Sequence, residues 1–193
     1  MLYLEIIGAV IGLLYLWFEY RASIWLWPVG IVMPVIYIYI FYTSAIYANM
    51  TIQIYYFGAS LYGWAIWLRK RNDDKPLPIT RTPTRAWLPM AGVFLALFAV
   101  LVFILKNFTD STVPWVDSFT TALSMVALWM LARKYVEQWL VWVVVNVVCA
   151  ELYFHQRLYP TAALYAIYSV AAVFGYFKWL KMTATSTETA AYT

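Results

Sequence analysis

Charge is scarce in this sequence. Asp, Glu, Lys and Arg make up 11% of its 193 residues, against about 25% in soluble domains. That shortage excludes an ordinary soluble enzyme, a disordered chain and a collagen-like rod. Cysteine is scarcer still: Cys149 alone leaves neither a disulfide framework nor a cysteine zinc site. His155 is the single histidine and has no second ligand nearby, so metal and haem are not expected. No phosphate-binding glycine loop is present, which removes ATP hydrolysis. No ladder of charges crosses the apolar runs, so proton or voltage coupling has little to use. No nucleophile–base pair stands out either. The chain therefore reads as a non-enzyme without a cofactor.

What is abundant is apolar surface: 65% hydrophobic residues and a mean hydropathy of +0.72. Seven apolar segments are expected as spans, at roughly 3–18, 24–42, 46–68, 87–105, 115–132, 138–154 and 159–180. They are continuously apolar rather than alternating, so they read as helices and not barrel strands. Glu5 and the lack of a basic leader argue against a cleaved signal peptide. Residues 69–85, with Pro76, Pro78 and Pro83, form the one long polar connection, and the tail after Lys181 is expected to be disordered. Of the 13 Lys and Arg, all but Lys106 and Arg157 fall on one side of this plan. That bias predicts an outside N-terminus and a cytoplasmic C-terminus. It also accounts for the basic pI of about 9.1 without nucleic acid.

The chain matches itself at a shift of 112 residues without a gap. Trp17, Arg21, Trp27, Tyr47, Tyr56, Gly63 and Trp67 fall on Trp129, Arg133, Trp139, Tyr159, Tyr168, Gly175 and Trp179. Segments 1–3 thus match segments 5–7 in parallel, joined by segment 4. The expected fold is an all-α integral membrane protein of seven transmembrane helices in a 3+1+3 parallel repeat. The divisions are residues 1–68 and 115–181 for the repeats, 69–114 for the loop and linker helix, and 182–193 for the tail. That is a transporter plan, with a path between the halves near mid-membrane.

Candidate site residues follow from polar and aromatic groups sharing helix faces inside the spans. Trp139, Trp142 and Asn146 are spaced by three and four, so they share a face. An amide at that depth is usually aimed inward, and indoles beside it suit a flat ring. Trp139 reads equally as an interfacial belt residue. Segment 3 carries a matching stripe of Gln53, Tyr56, Ser60, Trp64 and Trp67, whose counterpart in segment 7 includes Tyr168. Segment 2 offers Trp27, Gly30 and Pro34 opposite Trp139, Trp142 and Asn146. Asp117 reads as a helix N-terminal acid. Glu151 lies within a span, where an acid defaults to function. It is turned about 140° from Asn146 on an ideal helix, and pairing with His155 is the other reading.

The stretch YGWAIW (62–67) and the run WVDSFTTALSMVALWMLARKYVEQWLVWVVVN (115–146) closely resemble the PnuC family of vitamin transporters. The resemblance covers nearly all of residues 3–181 and is most specific in RKYVEQWLVWVVVN. It implies a plan similar to that of the SWEET transporters. It also implies facilitated diffusion of an unphosphorylated vitamin across a bacterial inner membrane, with trapping by a cytoplasmic kinase. Pocket residues are implied at Trp139, Trp142, Asn146, Gln53 and Tyr56, and a homo-oligomer, a trimer, as the assembly. Ser60 and Phe174 stand where nicotinamide riboside members tend to carry Asn, and FGYFKW (174–179) looks more like the thiamine branch, PnuT. Thiamine is therefore the expected cargo, with nicotinamide riboside the alternative. A non-transporting membrane scaffold is the remote alternative. Aromatic faces suit either cation through stacking and cation–π contact.

Overall fold

The computed structural model describes residues 2–43, 47–72, 77–109 and 111–191. Seven helices account for most of them: α1 (Leu2–Tyr20), α2 (Leu26–Thr43), α3 (Tyr47–Asn72), α4 (Thr84–Phe108), α5 (Pro114–Ala132), α6 (Gln138–His155) and α7 (Tyr159–Ala191). Five of them, α2, α4, α5, α6 and α7 as far as Thr183, are long and apolar enough to cross a membrane. Within the described side chains α1 offers the shorter apolar stretch Val10–Tyr20, and α3 is diluted by its polar stripe and by the run Arg69–Asn72. Residues 182–191, expected as disordered tail, continue α7 as helix. They contain neither Gly nor Pro to stop it.

The chain divides into two compact units, Met1–Leu77 and Pro78–Thr193, so the linker helix α4 belongs with the second unit. In the first, α2 packs against both α1 and α3. In the second, α4 to α7 pack in chain order, α4 on α5, α5 on α6 and α6 on α7. Of the five apolar helices, the most enclosed is α5. Its buried hydroxyls are satisfied within the helix: Ser118, Thr120 and Ser124 donate to the carbonyls of Pro114, Val116 and Thr120 at 2.6, 3.0 and 2.7 Å. Met90, Val126 and Met130 form a core between α4 and α5, closed by Phe94, Trp129 and Val141 among others.

The tight turns after α1 and α5 repeat one another. Ala22 and Lys134, 112 residues apart, are both left-handed, at φ 50° and 56°. Ala22 donates to the Glu19 carbonyl and Lys134 to that of Leu131, each at 2.9 Å. Ser23 and Tyr135 reach back to Phe18 and Met130 at 2.9 and 3.0 Å. Arg21 lies over the Trp17 ring and Arg133 over that of Trp129. Burial pushes the Lys134 ammonium down to about 8.

The turn in the second unit carries an addition. Residues 78–83 run across it as a strap. Thr80 donates to the Lys134 carbonyl at 3.1 Å and accepts from the Val136 amide at 3.0 Å. The Thr82 amide and hydroxyl both donate to one Glu137 carboxylate oxygen at 2.7 Å, and Ile79 and Thr82 are buried. At the position corresponding to Glu137 the first unit has Trp25, which is exposed. Hydrogen bonds to a charged acceptor are worth about 1.5–3 kcal/mol. Glu137→Ala is therefore expected to destabilise the protein by about that much and Thr82→Ala by less, since its amide still donates. Thermal unfolding in detergent checks the order of the two.

Candidate functional site

In each unit a tryptophan is locked between two helices in the same way. In the first, a Cβ placed on Gly63 of α3 would collide with the Trp27 indole of α2. The Trp27 and Trp67 rings meet edge to face at 5.4 Å and 90°. In the second, a Cβ on Gly175 of α7 would lie 2.7 Å from three ring atoms of Trp139 on α6. Trp139 and Trp179 meet edge to face at 5.7 Å and 88°. Trp27, Trp139 and Trp179 are fully enclosed. Trp139 is thus enclosed within the unit: the absence of a side chain at Gly175 lets it serve as a packing post between α6 and α7.

One turn further along α6 the two units diverge. In the first unit a Cβ on Gly30 would lie 2.8 Å from the Tyr15 ring, with the Ser60 hydroxyl 3.8 Å away. Tyr15 of α1 therefore fills the space that Gly30 leaves. At the corresponding positions of the second unit the sizes are reversed: Ala127 stands for Tyr15 and Trp142 for Gly30. Likewise Asn146 replaces Pro34. At these two positions the second unit therefore presents an indole and an amide where the first has Gly30 and Pro34. Trp142 is half-buried and Asn146 buried. The Trp142 indole N–H is enclosed without a hydrogen-bond partner, as are those of Trp139 and Trp179.

The remaining candidates fall where the two-unit division puts them. Gln53, Tyr56 and Trp64 are half-buried and Ser60 buried on α3 of the first unit. Tyr168 of α7 packs on Tyr165 at 5.9 Å, and Tyr165 on Tyr153 of α6 at 5.3 Å. Glu151 is not gathered with Trp142 and Asn146. It pairs with His155 at 2.8 Å, with both side chains 71% exposed within the chain, so the alternative reading holds for it. Asp117 accepts from the Ser111 hydroxyl at 2.6 Å in the first turn of α5, an end-of-helix role. Among the described residues no group of His, Cys, Asp and Glu is placed to hold a metal.

Gln138 is a residue that reading the sequence missed. It opens α6, is wholly buried, and neither its amide oxygen nor its amide nitrogen has a hydrogen-bond partner. Residues 138, 142 and 146 advance by one turn each along a single face, but spacing alone does not show the amide to be enclosed.

The family model described as "Nicotinamide mononucleotide transporter" matches residues 2–181. The chain belongs to this family, that of PnuC. Among its relatives is the nicotinamide riboside transporter PnuC of Escherichia coli, 26% identical over 92% of this chain and 85% of that one. The riboflavin/roseoflavin transporter RibM of Streptomyces davaonensis is also 26% identical, over 91% of this chain and 83% of its own. A crystal structure of the vitamin B3 transporter PnuC shares the fold, with a TM-score of 0.70 over 92% of this chain and 80% of that one, at 24% identity. Membership in the PnuC family makes the chain a multi-pass membrane transporter rather than an enzyme.

Proposed function

We propose that the chain is a facilitator that lets an unphosphorylated, flat vitamin run down its gradient across a bacterial inner membrane, where a cytoplasmic kinase traps it. Nicotinamide riboside is the leading cargo. The carrying observation is the pair Trp142 and Asn146. An indole with a free N–H and a buried amide share one face of a membrane helix, at the positions where the other unit has Gly30 and Pro34. The indole stacks on a heteroaromatic ring and the amide fixes its polar edge. Gln53 and Tyr56 are proposed as further cargo contacts, and Trp139 as the post that holds Trp142 and Asn146 in place. A scaffold would have no use for such a face.

The cargo assignment moves from thiamine toward nicotinamide riboside because relatives carry that name. Thiamine is kept as the second reading on two residues: Ser60, and Phe174, which is exposed. The parallel 3+1+3 repeat is supported by the matched turns and the matched Trp–Gly–Trp locks. The N-out, C-in orientation rests on the Lys and Arg bias, and the homo-oligomer on family resemblance alone.

Counterflow in proteoliposomes tests the reading. Labelled nicotinamide riboside is expected to exchange without a pH, sodium or voltage gradient, faster than thiamine or riboflavin. Accumulation above the outside concentration driven by an ion gradient would overturn facilitation. Faster thiamine exchange would restore the second reading.

A further inference from the structure

The buried amide of Gln138 has no structural partner, and its position in the fold does not call for one. The corresponding residue of the first unit is Leu26, which is just as fully enclosed. The same turn, with the same backbone bonds, is therefore built around an apolar side chain in one unit and an amide in the other. Leu26 and Trp27 donate to the carbonyls of Ser23 and Ile24, and Gln138 and Trp139 to those of Tyr135 and Val136, at 3.2–3.3 Å. An amide buried with donor and acceptor both unmet is destabilising, and a leucine of similar volume would remove that penalty. Gln138 is thus a residue that folding alone disfavours. Its address supplies the reason for keeping it. Gln138, Trp142 and Asn146 follow at intervals of four residues, each about 6 Å along the axis from the last, so the amide continues the face that carries the indole and the second amide.

We propose that Gln138 is a third cargo-contacting residue, one turn before the stacking indole, which hydrogen-bonds the hydroxyl-bearing part of the cargo. The chemistry fits. A carboxamide offers donors and an acceptor together, which suits hydroxyl groups that also do both. A separation of about one helical turn suits a sugar or hydroxyalkyl group attached to a ring stacked on Trp142. Being neutral, the amide adds no charge to select a phosphorylated ligand. The proposal rests on the facilitator reading above and adds to it a residue that sets affinity through the non-aromatic end of the molecule.

The test is calorimetric titration of purified, full-length Gln138→Leu and Gln138→Met with nicotinamide riboside, alongside the parent and with thermal unfolding of all three. The expected result is a melting temperature equal to or above that of the parent, together with binding weakened about tenfold, the loss of one or two amide hydrogen bonds. A residue needed only for structure would move the two readouts the other way, lowering the melting temperature and leaving affinity alone. Parent-like affinity in the variants would overturn the proposal while leaving the facilitator reading intact. Loss of folding in both would show the amide to be structural and overturn it as well. If the parent itself bound none of nicotinamide riboside, thiamine and riboflavin, the functional reading would fall and this proposal with it.

Discussion

Replacing Trp142 and Asn146 together by alanine is expected to weaken cargo binding by roughly five- to several-hundred-fold. The range follows from what the two side chains offer. Stacking with cation–π attraction contributes about 0.5–2 kcal/mol, and one amide hydrogen bond about 0.5–1.5 kcal/mol. Their sum, at about 1.4 kcal/mol per tenfold, sets the interval. Trp142 is half-buried, with its N–H unmet. Truncating it therefore removes a group that the apo fold leaves unsatisfied, and the variant is expected to fold. Glu151→Gln is the contrasting substitution. Its carboxylate is engaged by His155 one turn on and points away from the Asn146 face, so affinity is expected to stay within twofold of the parent. Titration of the purified variants with nicotinamide riboside and thiamine reads both outcomes. Parent-like binding by the double variant would move the site elsewhere and make the α6 face ordinary packing.

The helices were legible because lipid leaves a chain few options. A continuous apolar run must satisfy its backbone internally, so seven runs gave seven helices, with ends displaced by a few residues. The larger displacements have local causes. Arg69–Asn72 and residues 182–191 are polar enough to read as loop and tail. Yet a helix that has already started propagates through such residues at little penalty, because nucleation and not extension is the costly step. The division of the chain was less legible. The linker helix joins the second unit through contacts of Met90 and Phe94 with the α5 core, and hydropathy does not encode which neighbour a helix chooses.

The site was legible only as far as one helix reports on itself. The spacing of Trp139, Trp142 and Asn146 placed them near one face, but for Trp139, read as belt or pocket, the packing against Gly175 lies in another helix and was not visible. The shift of 112 residues paired Gly63 with Gly175 and Trp27 with Trp139, yet it did not say that the members of each set touch. The strap shows the same limit: Thr82 and Glu137 are 55 positions apart, with nothing in either neighbourhood to announce the other. Gln138 was passed over for a different reason. At the start of a span, a glutamine reads as an interfacial residue, and its cost becomes visible only once it is known to be enclosed without partners.

Gly175→Ala should do more damage than any other single-methyl change in the second unit. An alanine Cβ would sit 2.7 Å from three atoms of the Trp139 ring, a distance that side-chain carbons essentially never tolerate. Trp139 cannot simply swing away, because the indole is rigid and Trp179 stands against it. Either α6 and α7 move apart or the ring leaves its rotamer, and overpacking of this kind costs about 1–3 kcal/mol. Affinity should fall with stability, since Trp139 lies between Gln138 and Trp142 on the same helix and any shift of α6 carries the cargo face with it. Gly63→Ala should show the same loss of stability in the first unit, where Trp27 leaves still less room. Gly58 and Gly92 have open space where a Cβ would go. There the same substitution replaces a poor helix residue by a good one and should stabilise by about 0.5–1 kcal/mol. Four glycine-to-alanine variants, melted in detergent under one condition, should therefore split two against two in sign. A lowered melting temperature at Gly58 and Gly92, or an unchanged one at Gly63 and Gly175, would mean that the tryptophan locks are not what holds these helix pairs together.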